Sequence, residues 1–174
     1  MNGYGFTLAG RALVALPTGA LYWPDAGVLA VGDLHLGKSA RMARRGGPLL
    51  PPYETEATLT RLDAVIEAAR PARVICLGDS FDDAEAGAEL AEPHRLWLMR
   101  LMAGRDWIWV AGNHDPAPPA VGGTHLDHLR HDGLTFRHIA AREAAAEVSA
   151  HYHPKARVGG RARACFLIDR SRVI

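Results

Sequence analysis

Acids and imidazoles recur at two-residue spacing towards both ends of this 174-residue chain, as Asp33-Leu34-His35 and His151-Tyr152-His153. Extended backbone turns residues i and i+2 to the same side, so each pair would present two donors to one place. Asp79, Asn113 and His138 add a carboxylate, an amide oxygen and another imidazole. Carboxylate with imidazole is a mixed set that suits Mn2+, Fe or Zn2+ better than Ca2+ or Mg2+ alone. Asp33, His35, Asp79, Asn113, His138, His151 and His153 are too many donors for one ion. They fit two ions that share Asp79, whose carboxylate has an oxygen for each. Two cations about 3.5–4 Å apart clamp the attacking and leaving oxygens of a phosphoryl displacement. His114, next to Asn113, is placed to hand a proton to the leaving oxygen. Asp115 beside it would hold the ring in one tautomer and favour its charged form.

These residues follow apolar runs that read as buried strands. Residues 28–32 run into Asp33, 73–78 into Asp79, 107–111 into Asn113, 134–138 end on His138, and 146–150 lead into His151. Hard-to-bury donors at several strand exits point to one shared rim. Between the strands, Leu59, Leu62, Ile66 and Ala69 are spaced as one face of a helix over 54–69, and Pro93 opens a second helix through Met102. Residues 11–16 and 20–23 read as a hairpin around Pro17-Thr18-Gly19. Residues 37–45 read as a short basic helix or loop closed by Gly46-Gly47-Pro48 and Pro51-Pro52, 116–123 as a Pro/Gly loop, 141–145 as an irregular or helical turn, 164–168 as a strand and 169–172 as a turn. Strand–helix–strand units between terminal hairpins indicate mixed α/β layering, with two facing sheets and helices outside.

The bulk composition is that of one ordinary globular domain spanning residues 1–174. Twenty Lys and Arg against nineteen Asp and Glu leave a net charge of +1, so no global field favours a polyanion. Cys76 and Cys165 make no disulfide framework and read as core thiols. No apolar run approaches the roughly 18–20 residues of a membrane span, and Met1-Asn2-Gly3-Tyr4-Gly5 opens no signal peptide; the expected setting is cytoplasmic, with no membrane partner. His94, His125, His128 and His131 read as ordinary surface or core residues, and Trp97, Trp107 and Trp109 as core.

Asp33-Leu34-His35, Gly78-Asp79, Gly112-Asn113-His114-Asp115 and His151-Tyr152-His153 resemble, in this order, the motifs of the calcineurin-like metallophosphoesterase superfamily. The resemblance implies a double β-sandwich of two mixed sheets flanked by helices, a four-layer αββα arrangement. It implies one divalent ion on Asp33, His35, Asp79 and His153, a second on Asp79, Asn113, His138 and His151, and His114 as the catalytic imidazole. His138 is preferred to nearby His128 and His131 because it ends an apolar run. More closely, Gly32 through Lys38, Leu77-Gly78-Asp79-Ser80-Phe81 and His151-Tyr152-His153-Pro154 are similar to the bacterial ligase-associated DNA damage response endonucleases. That likeness implies two Mn2+ ions, a phosphodiester substrate in DNA repair, and a DNA ligase or helicase as partner. The chain departs from that group in Ala150, where a Gly usually precedes the first His, and in Asp82, where a His is common. It also ends earlier, on Val173-Ile174, so a C-terminal strand is expected to be missing.

Two basic stretches flank the motifs. Lys38, Arg41, Arg44 and Arg45 follow His35, and Lys155, Arg157, Arg161 and Arg163 follow His153. Each reads either as a solvated face or as a grip on a phosphate backbone. The expected activity is hydrolysis of a nucleic-acid or other phosphodiester; a phosphomonoesterase or nucleotide hydrolase is the alternative on the same residues. A non-catalytic interaction module is disfavoured because the four motif imidazoles His35, His114, His151 and His153 are retained.

Overall fold

Strands β4 (Val28–Val31), β5 (Arg73–Cys76) and β6 (Asp106–Val110) are apolar runs that lie side by side in parallel. Such strands need cover on both faces. One face receives the helices α1 (Lys38–Arg44), α2 (Tyr53–Ala69) and α3 (Glu92–Met102). Chain direction explains why they share it: β4, β5 and β6 step the same way across the sheet, and right-handed crossovers then place α2 and α3 on one side. Helix α2 turns Leu59, Leu62, Val65, Ile66 and Ala69 inward and α3 turns Leu98 and Leu101 inward, against Val74, Cys76, Trp107 and Trp109 of the sheet. Burial pushes the Cys76 thiol well up, which leaves it an inert core group.

The other face is covered by a second sheet of β8 (Leu129–His131), β9 (Leu134–Phe136), β10 (Glu147–Val148) and β13 (Arg172–Val173), in the order β13-β10-β9-β8. Leu134, Phe136, Val148 and Val173 meet Ile75, Leu77 and Val110 between the sheets. Strands β1 (Tyr4–Leu8), β2 (Arg11–Ala15) and β3 (Leu21–Trp23) extend the large sheet antiparallel beyond β4, and β7 (Thr124–Leu126) closes its far edge. A separate ribbon pairs β11 (Lys155–Val158) with β12 (Arg161–Ala164). The two mixed sheets flanked by helices are the architecture expected; among the described residues the helices lie on the large sheet's outer face, giving the layer order helix, sheet, sheet.

This computed structural model describes residues 2–47, 53–117, 120–143 and 145–174. Pro48 and Pro51-Pro52, part of the 116–123 loop and part of the 141–145 turn therefore lie outside the described residues. The predicted helices and central strands stand with ends shifted by a few residues at most. The structure differs from the sequence reading in one strand and adds others. The strand expected over 164–168 is displaced towards β12, because Cys165–Leu167 leave the ribbon and only Ile168 forms a bridge, to Val173. Val173 pairs in parallel with Val148, so the last residues form β13. Strands β1, β7, β8 and β11 have no counterpart in the sequence reading. No helix among the described residues is long and apolar enough to cross a membrane.

Candidate metal centre

Each predicted donor leaves the carboxyl end of a strand. Asp33 and His35 follow β4, Asp79 follows β5, and Asn113 and His114 follow β6; His138 follows β9, and His151 and His153 follow β10. Backbone pairing continues past the strand ends and ties these exits together. The Asp33 amide donates to the Gly78 carbonyl at 3.2 Å, His35 to Asp79 at 2.9 Å and Leu36 to Ser80 at 2.9 Å. In the small sheet the Ala150 amide donates to the His138 carbonyl at 3.0 Å, and across the sheets the His151 amide donates to Asp33 Oδ2 at 3.0 Å.

The backbone there is not the extended chain that the two-residue spacing implied. Asp33, His35, Asp79, His151 and His153 all have φ between +43° and +73°. Non-glycine residues in that region cost on the order of 1–3 kcal/mol each and cluster at functional sites. The pairs converge through left-handed turns held by the cross-loop hydrogen bonds, so alternation along a strand is not what aligns them. Close approach also demands small residues. A Cβ on Gly112 would lie 2.2 Å from the Asp79 amide nitrogen and 2.3 Å from Asp79 Oδ1. Ala150, the departure noted in sequence, is accommodated because a Cβ on the facing Gly32 would sit 2.5 Å from its methyl.

Ligand atoms gather in three overlapping groups, each within 4.8 Å: Asp33, His35 and His153; His35, Asp79 and His114; Asp79, His138 and His151. His138 Nε2 lies 3.3 Å from Asp79 Oδ2, 3.0 Å from Asn113 Oδ1 and 3.2 Å from His151 Nδ1. Its Nδ1 lies 2.8 Å from the Leu77 carbonyl and donates to it, which fixes the tautomer. With Nδ1 so engaged, the ring turns Nε2 towards two oxygens and a ring nitrogen. A divalent cation resolves that crowding of lone pairs, and ligands about 2.1 Å from one ion sit about 3.0–3.4 Å from each other. The donor set fits a metal. The Asp79 end is buried, whereas His153 is 54% exposed and lies 3.9 Å from Asp33 Oδ2, so the opposite end is open.

His114 stands beside this cluster with its Nδ1 2.8 Å from the Asp82 carbonyl, while its backbone amide donates to Asp79 Oδ1 at 2.9 Å. Asp115 corrects the sequence reading. It does not hold the His114 ring; its carboxylate accepts the amides of Asp79, Ser80 and Phe81 at 2.9, 2.7 and 3.1 Å. Burial, aided by the Asp79 charge, pushes its carboxyl up against the pull of those amides. Asp115 therefore shapes the turn that carries Asp79.

Sequence reasoning missed Asp82. Its buried carboxylate sits 3.0 Å from His35 Nδ1 and binds Arg41 Nε, bridging a metal-site imidazole to α1. Only the substitution pattern at that position drew attention to it. Arg44, offered with Arg41 as a substrate contact, binds Asp83 at 2.6 Å, Glu85 at 3.1 Å and Glu89. Lys38 and Arg45 make no ion pair among the described residues. His131 belongs elsewhere, against Arg73 at 3.1 Å and the Trp23 ring.

The family model described as calcineurin-like phosphoesterase matches residues 27–167. The crystal structure of Pseudomonas putida nuclease MPE is similar with a TM-score of 0.78 and 26% identity, covering 99% of this chain and 86% of that one. No curated protein matches.

Proposed function

This chain belongs to the calcineurin-like phosphoesterase family, and from that premise we propose that it is a dinuclear phosphodiesterase acting on nucleic acid. The observation that carries the reading is the sharing of donors: Asp79 belongs both to the group with His138 and His151 and to the group with His35 and His114, which in turn meets Asp33 and His153. Two ligand clusters back to back around one carboxylate are what a pair of cations needs. Mn2+ is the favoured ion, with Fe or Zn2+ compatible with the same donors. The nuclease title of the structural neighbour supports a diester in nucleic acid, and the motif resemblance supports a setting in DNA repair with a ligase or helicase nearby.

Divalent ions held there would polarise the phosphoryl oxygens and make an attacking water more acidic. The remaining chemistry belongs to the chain. Asp79 divides its carboxylate, Oδ1 to the His114 amide and Oδ2 towards His138 Nε2, and so aligns both ligand clusters. Asp33 accepts the His151 amide and keeps the two sheets' loops in register. His114, anchored through Nδ1 on the Asp82 carbonyl, keeps Nε2 for the leaving oxygen of the scissile bond. The open end at Asp33 and His153 admits a chain that continues on both sides of the phosphate, as a diester does.

Parallel assays on Mn2+-loaded protein test this. Turnover of bis(p-nitrophenyl) phosphate and of a DNA oligonucleotide is expected, with p-nitrophenyl phosphate hydrolysed at least about tenfold more slowly, a difference of about 1.4 kcal/mol in barrier. Activity confined to the monoester would replace the proposal with a phosphomonoesterase.

A further inference from the structure

Resting on the nucleic-acid reading above, we propose that the β11–β12 ribbon is the arm that holds the phosphate backbone of the substrate beside the metal centre. All eight of its strand residues are exposed, and it pairs with no other strand among the described residues. Residues 154–164 carry Lys155, Arg157, Arg161 and Arg163 and no acid, in a chain whose net charge is only +1. Several cations elsewhere find carboxylates: Arg11 leans on Asp132, Arg73 on Asp106, Arg100 on Asp63 and Arg137 on Glu147. None of the four ribbon cations does so among the described residues.

The register explains how the ribbon tolerates this. Lys155 faces Ala164, Arg157 faces Ala162, Arg163 faces Ala156 and Arg161 faces Val158. No two cations are directly opposed, an arrangement that avoids the destabilisation of facing like charges. Each strand face keeps two of them about 6.6 Å apart along the chain, of the order of the spacing between successive phosphates. The Gly159-Gly160 turn, with φ of +58° and +79°, is the two-residue hairpin that projects such a ribbon. Its root is at the site. Lys155 lies two residues after His153, and Lys155 and Ala164 line a groove of about 1250 Å³ that also reaches Asp33 and His153. A polyanion lying along the ribbon is led to the open end of the centre, and charge complementarity selects a polynucleotide backbone without reading its bases.

The test compares the wild-type protein with Arg157→Gln/Arg161→Gln/Arg163→Gln and with the charge-keeping Arg157→Lys/Arg161→Lys/Arg163→Lys. Binding of a fluorescein-labelled single-stranded DNA is followed across a sodium chloride series, and bis(p-nitrophenyl) phosphate turnover is measured alongside. The Gln variant should bind the DNA about 10–100-fold more weakly, with the slope of log K against log salt reduced by about 1.4, since Arg161 and Arg163 share one face and each phosphate contact on a single strand contributes about 0.7. It should keep wild-type turnover of the small diester, which offers the ribbon nothing to hold, and the Lys variant should keep both. An unchanged affinity and slope in the Gln variant, an equal loss in the Lys variant, or tighter binding to phosphatidylserine vesicles than to DNA would overturn the proposal. Failure of the wild-type protein to hydrolyse any diester would instead remove the phosphodiesterase reading, leaving the binding result to judge the ribbon by itself.

Discussion

Asp79→Ala is expected to strip both cations from the protein and to reduce diester hydrolysis by about 10³-fold or more, several kcal/mol of lost transition-state stabilisation. The reason is position. Asp79 is buried among His138, His151, His35 and His114, and no second carboxylate lies in the group it forms with His138 and His151. Without it, the second ion would have imidazoles and an amide oxygen with no charge to oppose it, and the first would keep only Asp33 with His35 and His153. Asp79→Asn separates charge from shape, because its amide oxygen can still accept the His114 amide that Asp79 Oδ1 accepts at 2.9 Å. Both variants should lose metal, measured by elemental analysis after gel filtration. One fully retained ion in either would show that the carboxylate is not shared.

His114→Ala has the second-largest expected effect and the opposite signature: metal content near wild type with turnover lowered by about 10²–10⁴-fold, the range for a lost general acid. His114 Nδ1 is committed to the Asp82 carbonyl rather than to a ligand atom, so its removal leaves the buried cluster of Asp79, Asn113, His138 and His151 intact. The loss should depend on the leaving group. A nitrophenolate departs without help, whereas the alkoxide of a nucleotide needs a proton, so the variant should be far more impaired on DNA than on bis(p-nitrophenyl) phosphate. Equal losses on both substrates, or metal lost in step with activity, would make His114 a ligand instead.

The donors and their strand exits were legible in sequence because a buried parallel strand is written as an apolar run, and a rim residue as the polar group that ends it. Helices α2 and α3 were legible for a similar reason, through apolar spacing and Pro93. What could not be read was how the donors converge. Two-residue spacing suggested extended alternation, but the left-handed turns at Asp33, His35, His151 and His153 come from contacts between loops distant in the chain. Asp115 was assigned to its sequence neighbour His114, yet its partners are amides 34 to 36 residues away. Asp82 and Arg44 were likewise invisible as ion-pair partners, since tertiary packing alone brings α1 onto the acidic loop. The missed hairpins did leave a signal. Ala9-Gly10, Asp132-Gly133 and Gly159-Gly160 are two-residue turns with positive φ at both positions. β8 and β11 went unread because β8 is only three residues long and β11 has no buried face to impose alternation.

Anomalous scattering from crystals grown with Mn2+ tests the paired-cation centre most directly. Two peaks about 3.5–4 Å apart are expected, one among Asp33, His35, Asp79 and His153 and the other among Asp79, Asn113, His138 and His151. A single peak, or two peaks without Asp79 between them, would contradict it.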